Sequence, residues 1–121
     1  MFNPSIWEQG TFDEVTHTLT LGQYGFGGWQ YAEGLDLSSY NTLTVELGSD
    51  NDSQISFRLF DKNNYWSEPA TYDFGSSRKV VVHLNDMKDK NGQKIYSSHL
   101  YIIGFWSLGN KPFVIKSLTL E

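Results

Sequence analysis

The segment ISFRLFDKNNYW, residues 55–66, places a cation, aromatic rings and polar groups close enough together to form a binding surface. Side chains alternate between the two faces of a β-strand. Ile55, Phe57 and Leu59 occupy alternate positions of the segment. If they face the core, Arg58 and Phe60 share the opposite face. An arginine beside an aromatic ring offers hydrogen-bond donors next to a flat apolar surface, which is the combination that binds a sugar.

The end of the same segment extends this predicted surface. The polar residues 61–64 predict a turn, and Tyr65 and Trp66 follow it. We expect both rings at the rim of the face that carries Arg58. The alternative for Trp66 is that it closes the end of the fold as a packing residue.

A second candidate, Trp106, lies in the apolar segment YIIGFWSL, residues 101–108. Gly104 and Trp106 have the same strand phase, and a glycine leaves room for a ring to lie against the sheet. A tryptophan buries about 150–250 Å² when it packs inside a protein, so an exposed one indicates a ligand. The alternative is the opposite phase, in which Trp106 and Ile102 line the core.

The tripeptide Trp29-Gln30-Tyr31 presents a choice between two orientations. Either Trp29 and Tyr31 face a ligand and Gln30 points inward, or Gln30 faces the ligand and the rings pack inside. A buried amide must be fully hydrogen-bonded, which favours Gln30 on the outside. Trp29 remains a candidate ligand residue if it reaches the surface from a twisted edge strand.

Composition limits the classes of function. The 121 residues and 13.8 kDa suit one domain, residues 1–121, and there is no cysteine. The net charge of −5 and the scattered basic residues argue against a nucleic-acid partner, and no apolar run approaches the roughly 20 residues of a membrane span. Aromatic residues make up 16% of the chain, more than its core needs.

The hydrophobic pattern predicts an all-β chain. Residues 42–47 alternate cleanly, and in residues 113–120 the phase slips at 116–117, which predicts a β-bulge. About nine short strands favour a two-sheet antiparallel β-sandwich of jelly-roll type. The predicted strands are 5–8, 16–21, 29–32, 42–47, 55–60, 70–74, 79–84, 101–108 and 113–120.

Catalytic and metal sites find little support in the residue pattern. Glu46 and Glu68 are the pair that a glycosidase would need, but the chain is short for a groove enclosing them. The three histidines lack metal-ligand spacing. The acidic turns at 13–14 and 50–52 lack the spacing of a calcium loop. We therefore predict a protein that is not an enzyme and has no cofactor.

Two longer segments, GFGGWQY…GLDLSSYNTLTVEL and IIGFWSLGNKPFVIKSLTLE, resemble the β-sandwich carbohydrate-binding modules attached to bacterial plant-cell-wall hydrolases. The resemblance covers nearly the whole chain. It implies ligands such as β-1,4-glucan, including xyloglucan, mixed-linkage β-glucan and glucomannan, with Trp106 at the family's aromatic binding position. Lys116 stands where many relatives carry an acid, so the resemblance does not predict their structural calcium.

The same resemblance implies a monomeric module taken from a secreted, modular protein that works outside the cell or at its surface. There it would hold a covalently attached glycoside hydrolase domain on plant polysaccharide. The predicted ligand-binding residues are Trp106, Trp66, Arg58, Gln30, Tyr65 and Trp29. The alternative from another class is a protein-interaction or adhesion module, in which the same rings form a binding patch.

Overall fold

The computed structural model of the chain describes residues 5–7, 10–22, 24–48, 55–61, 70–74, 76–107 and 112–121, with only the backbone for 5–7 and 70–73. These residues form ten strands and one 3-10 turn, Ser97–His99. The strands are β1 Ser5–Trp7, β2 Thr11–Asp13, β3 Thr18–Thr20, β4 Phe26–Leu35, β5 Thr42–Leu47, β6 Ser56–Asp61, β7 Ala70–Asp73, β8 Lys79–His83, β9 Leu100–Trp106 and β10 Phe113–Leu120.

The strands form two five-stranded sheets. The first sheet has the order β1-β4-β9-β6-β7, and the second has the order β2-β3-β10-β5-β8. Every strand pair is antiparallel. The predicted all-β class and two-sheet antiparallel arrangement are therefore confirmed. No helix in the described part of the chain has the length and apolar character needed to cross a membrane.

The core lies between the two sheets and takes the apolar phase of each strand. In β5 the residues alternate between buried and half-buried. In β6 the predicted phase is confirmed, because Phe57 and Leu59 belong to the core cluster and Phe60 belongs to a separate cluster. The largest buried rings of the core are Trp29, Phe57, Phe74, Phe105 and Phe113.

The strand register shifts at three places in the described residues. One shift lies in β4, where Gln30 pairs with Ile102 and the next pair is Leu35 with Leu100. The register between β10 and β5 shifts between Ile115 and Ser117, which confirms the predicted bulge. The register between β6 and β9 shifts where Phe60 pairs with Ile102 and the next pair is Asp61 with Leu100. The extra residue is Tyr101, which packs with Phe60 and Ile102 rather than in the core.

Strand β4 is longer than predicted because it includes two glycines that its neighbours require. A Cβ on Gly27 would lie 2.8 Å from Cδ2 of Leu21. Gly28 has φ +137°, and a Cβ there would collide with the carbonyl oxygen of Ile103 and lie 2.9 Å from Cα of Gly104. The backbones of β4 and β9 therefore approach closely at Gly28, which only glycine permits.

Candidate functional site

The candidate site is the side of the first sheet that faces away from the core. We call it the aromatic face. Trp29, Ile103 and Leu59 are paired across β4, β9 and β6, and all three point into the core. The residues next to them in each strand, and those in the same phase as these neighbours, therefore point to the outer side and form the aromatic face. Its described members are Phe26, Gln30, Ser56, Arg58, Phe60, Tyr101, Ile102, Gly104 and Trp106.

A pair of rings forms one end of the aromatic face. Phe26 on β4 and Trp106 on β9 are direct cross-strand partners. Their ring centroids lie 6.2 Å apart with an interplanar angle of 37°, and both side chains are half-buried. Trp106 thus occupies the outward phase predicted for it, while its neighbour Phe105 is fully buried in the core.

The Arg58 guanidinium lies against both of these rings. Its central carbon is 5.0 Å from the centroid of Trp106 and 5.6 Å from the centroid of Phe26. A cation within about 6 Å of a ring centroid is attracted by the electron-rich face of the ring. Three residues from three neighbouring strands are therefore held in one cluster.

Gly104 provides the path by which Arg58 reaches Phe26. Arg58 pairs with Gly104, and Gly104 pairs with Gly28, so the strand β9 separates Arg58 from β4. Adjacent strands are about 4.8 Å apart, so the arginine side chain must extend over β9 to approach a ring on β4. The residue it passes has no side chain to obstruct it.

The burial of Arg58 changes the role that the sequence suggested for it. Arg58 lies on the predicted face, but only 6% of its surface is exposed. Its guanidinium packs against rings instead of standing open to solvent for sugar hydroxyls. The sequence also allowed a purely structural role for Arg58, an ordinary salt bridge with Glu46. That alternative is wrong, because Glu46 lies on β5 of the second sheet and its Oε1 is 3.5 Å from Nζ of Lys116.

Trp29 is a correction to the predicted binding residues. Its side chain is 1% exposed and packs edge-on against Phe12 and Phe105, with centroid distances of 5.1 Å and 6.5 Å. Trp29 pairs with Ile103 in the middle of the first sheet and points into the core. The ring therefore stabilises the sandwich and cannot contact a surface ligand.

The orientation of Gln30 follows from that of its neighbours. Trp29 and Tyr31 both belong to the core, and Gln30 pairs with Ile102 on the aromatic face, where it is half-buried. Gln30 therefore has the outward orientation that the sequence favoured, since a buried amide must be fully hydrogen-bonded.

The inward neighbour Tyr31 is affected by its burial in the core. Burial raises the pKa of Tyr31 to about 12, because the charged phenolate would lose its solvation.

Tyr65 and Trp66 lie outside the described residues, so their predicted place at the rim stays a prediction. The structure adds two rings that the sequence did not single out, Phe26 and Tyr101. Phe26 has the same phase as Gln30, and counting back in steps of two along β4 would have found it. Tyr101 lies on the aromatic face only because the register between β6 and β9 shifts at this residue, and the residues around Tyr101 give no sign of that shift.

Metal-binding groups are not assembled in the described residues: no three His, Asp or Glu side chains there are placed to hold a metal ion. The acidic turn at Asp13 is used locally instead. Its Oδ1 accepts hydrogen bonds from the backbone N–H of Val15 at 2.8 Å and of Thr16 at 3.2 Å. These two bonds lower the pKa of Asp13. The acidic turn at 50–52 lies outside the described residues.

Comparisons of the chain with family models, with curated proteins and with solved structures found no match. The functional assignment therefore depends on the geometry of the aromatic face and on the resemblance seen in the sequence.

Proposed function

We propose that the chain is a non-catalytic carbohydrate-binding module that binds plant cell-wall polysaccharide on the aromatic face. The observation that supports this most strongly is the half-buried Trp106, which lies beside Phe26 on the outer side of the sheet. The same strand sends Ile103 and Phe105 into the core. A sandwich of jelly-roll type with such a face is what the sequence resemblance implies.

The ligand chemistry proposed is that of a β-1,4-glucan such as xyloglucan, mixed-linkage β-glucan or glucomannan. The apolar C–H faces of its pyranose rings would pack on Trp106 and Phe26, while polar side chains fix the orientation of the hydroxyls. Gln30 is the described polar candidate. It lies four residues from Phe26 along β4, about 13 Å at the rise of a strand, so an extended ligand along β4 would contact both.

Two residues of the proposed site, Tyr65 and Trp66, lie outside the described residues. Tyr65 and Trp66 come shortly after Asp61, the last residue of β6. If their rings border the aromatic face as predicted, they would enlarge the area on which a sugar chain packs. The loss of Trp66 should then weaken binding without affecting the packing between the sheets.

The module would act by proximity. Tethered to a glycoside hydrolase domain in a secreted protein, it would keep the enzyme at its polysaccharide by raising the effective concentration. A Kd of roughly 1 μM to 1 mM, about −8 to −4 kcal/mol, suits this role. A free sugar already hydrogen-bonds well to water, so the net gain on binding is modest.

Native affinity electrophoresis tests the proposal. The chain would run in gels containing xyloglucan, barley β-glucan, hydroxyethylcellulose, glucomannan or xylan. We expect retardation by the glucans and glucomannan but not by xylan, and its loss in Trp106→Ala. A folded protein that no polysaccharide retards would contradict the proposal, and concentration-dependent self-association in the same sample would then support the protein-interaction alternative.

A further inference from the structure

We propose that Arg58 is a positioning residue, which holds the Trp106 and Phe26 rings in the orientation that a ligand requires, and that Gly104 makes this possible. The effect on ligand affinity depends on the proposed function. The effect on the ring of Trp106 does not, so the two can be tested separately.

The guanidinium of Arg58 contacts both rings at once. The guanidinium carbon lies 5.0 Å and 5.6 Å from two ring centroids that are themselves 6.2 Å apart. One planar cation therefore contacts both members of the cross-strand pair. A rotation of Trp106 that moved its ring away from Arg58 and Phe26 would give up both contacts.

The burial of Arg58 indicates that its position is well defined. An arginine in mid-strand on an outer face ordinarily extends into water, yet 6% of this one is exposed. A buried cation is tolerated only where favourable partners compensate for its lost hydration. The Arg58 side chain is thus held in place by its surroundings, which is the property that a support for a second side chain needs.

An arginine suits this role better than a lysine. The guanidinium is planar, weakly hydrated and stacks on aromatic faces, whereas an ammonium is a compact and strongly hydrated point charge. A ring fixed before the ligand arrives loses less conformational freedom on binding, and this improves affinity. Trp106 remains half-buried with Arg58 in place, so part of its surface stays accessible.

Three variants separate the contributions. Arg58→Met keeps most of the side-chain length and removes the charge, and Arg58→Lys keeps the charge and removes the planar group. Gly104→Ala leaves Arg58 unchanged but places a methyl group in its path across β9. Lys116→Met serves as the matched control, because Lys116 is a cation on the outer side of the second sheet with 65% of its side chain exposed.

The first measurement needs no ligand. The protein is labelled with fluorotryptophan, and its fluorine NMR resonance for Trp106 is assigned by its disappearance in Trp106→Phe. We expect this resonance to shift and broaden in Arg58→Met and in Gly104→Ala, and to stay unchanged in Lys116→Met. An unchanged resonance in folded Arg58→Met and Gly104→Ala protein would overturn the proposal.

The second measurement is affinity for the glucan that the electrophoresis identifies. Loss of a cation–π contact should weaken binding by about twofold to thirtyfold in Arg58→Met and in Gly104→Ala. The affinity of Arg58→Lys for the glucan should lie between that of Arg58→Met and that of the unchanged protein. The double variant Arg58→Met/Gly104→Ala should bind no more weakly than the weaker-binding single variant, because both changes remove the same interaction.

The outcomes distinguish the two proposals. A shifted Trp106 resonance in a protein that binds no polysaccharide would support the positioning of the ring and reject the proposed function. A shifted resonance with unchanged affinity for the glucan would overturn the role of Arg58 in binding. Thermal unfolding of each variant checks the fold, and Arg58→Lys and Gly104→Ala keep the test available if Arg58→Met does not fold.

Discussion

The outer sides of the two sheets follow the same alternation but carry different chemistry. On the second sheet, β5 and β10 present threonines and an exposed ion pair between Glu46 and Lys116, whose side chains are 38% and 65% exposed. On the first sheet, the corresponding positions carry the rings of Phe26 and Trp106 and the buried cation of Arg58. One outer side is thus a solvated surface, and the other is partly desolvated.

The difference shows where the sequence departs from what folding alone requires. A sandwich needs only one apolar side on each sheet. The outer side of the second sheet carries threonines, the ion pair of Glu46 with Lys116, and two small apolar side chains, Val81 and Val114, that are 42% and 36% exposed. The aromatic face instead keeps rings and a charge that together cost hydration. Such a departure is expected at a functional surface, and this is why the proposed ligand is placed on the first sheet.

The largest expected effect concerns the backbone beneath the aromatic face. Gly28→Ala should lower the free energy of unfolding by roughly 2–4 kcal/mol, because the new methyl group would collide with β9 at a positive φ. Gly48→Ala at the second sheet is the matched control, since its Cβ would lie 3.1 Å from Cβ of Val114. We expect it to cost below about 1 kcal/mol. Urea unfolding measures both, and equal losses would contradict the close approach of β4 and β9.

The next effect tests the assignment of the ligand to one face. Trp106→Ala should weaken glucan binding by about thirtyfold or more, roughly 2 kcal/mol, because it removes the stacking surface. Val81→Ala truncates a side chain that is 42% exposed on the outer side of the second sheet, and its affinity should stay within about twofold. Isothermal titration calorimetry on folded protein compares them. Equal affinities for the two variants would remove the aromatic face from the site.

A smaller effect concerns the inward side of β4. The pKa of Tyr31 in the folded protein is raised to about 12, above the ordinary value of 10.0. Below about pH 10 both folded and unfolded states keep the proton, so this contribution to stability is fully present. As the pH rises further, the unfolded state loses its proton first and the stability falls.

Tyr31→Phe should therefore lose less stability than the unchanged protein between about pH 9 and about pH 11. Urea unfolding at several pH values measures the difference. The same decline in both proteins would show that Tyr31 ionises as readily in the fold as in the unfolded chain.

The smallest expected effect is that of the exposed ion pair on the second sheet. Lys116→Met should change the free energy of unfolding by no more than about 0.5 kcal/mol, because exposed ion pairs are well screened. Thermal unfolding at low and high salt provides the measurement. A loss several times larger would mean that the outer side of the second sheet is not the solvated surface described above.

The fold was most predictable where one side of a strand meets the core and the other meets water. The bounds of β5 and β10 agree with the sequence pattern, and so does the bulge in β10. Strand β4 was predicted too short, because its glycines resemble a loop until the close contact with β9 is known. Strand β2 was missed, since three residues are too few to show an alternation.

The candidate site was predictable in its phases but not in its contacts. Alternation placed Arg58 and Trp106 on one face and favoured Gln30 over Trp29 as the outward residue of β4. The burial of Arg58 depends on which residue β9 places opposite it and on the Phe26 ring one strand further. Register between distant segments determines both, and no local pattern in the chain encodes it.

The most direct test of the assignment is a titration of nitrogen-labelled protein with a xyloglucan or cellulose oligosaccharide, followed by proton–nitrogen correlation spectra. We predict the largest shifts at the indole N–H of Trp106 and the backbone amides of Gly104 and Gln30, with none above background at Val81 and Val114. Shifts confined to the second sheet, or no shifts at a millimolar concentration of oligosaccharide, would contradict the claim that the aromatic face binds the ligand.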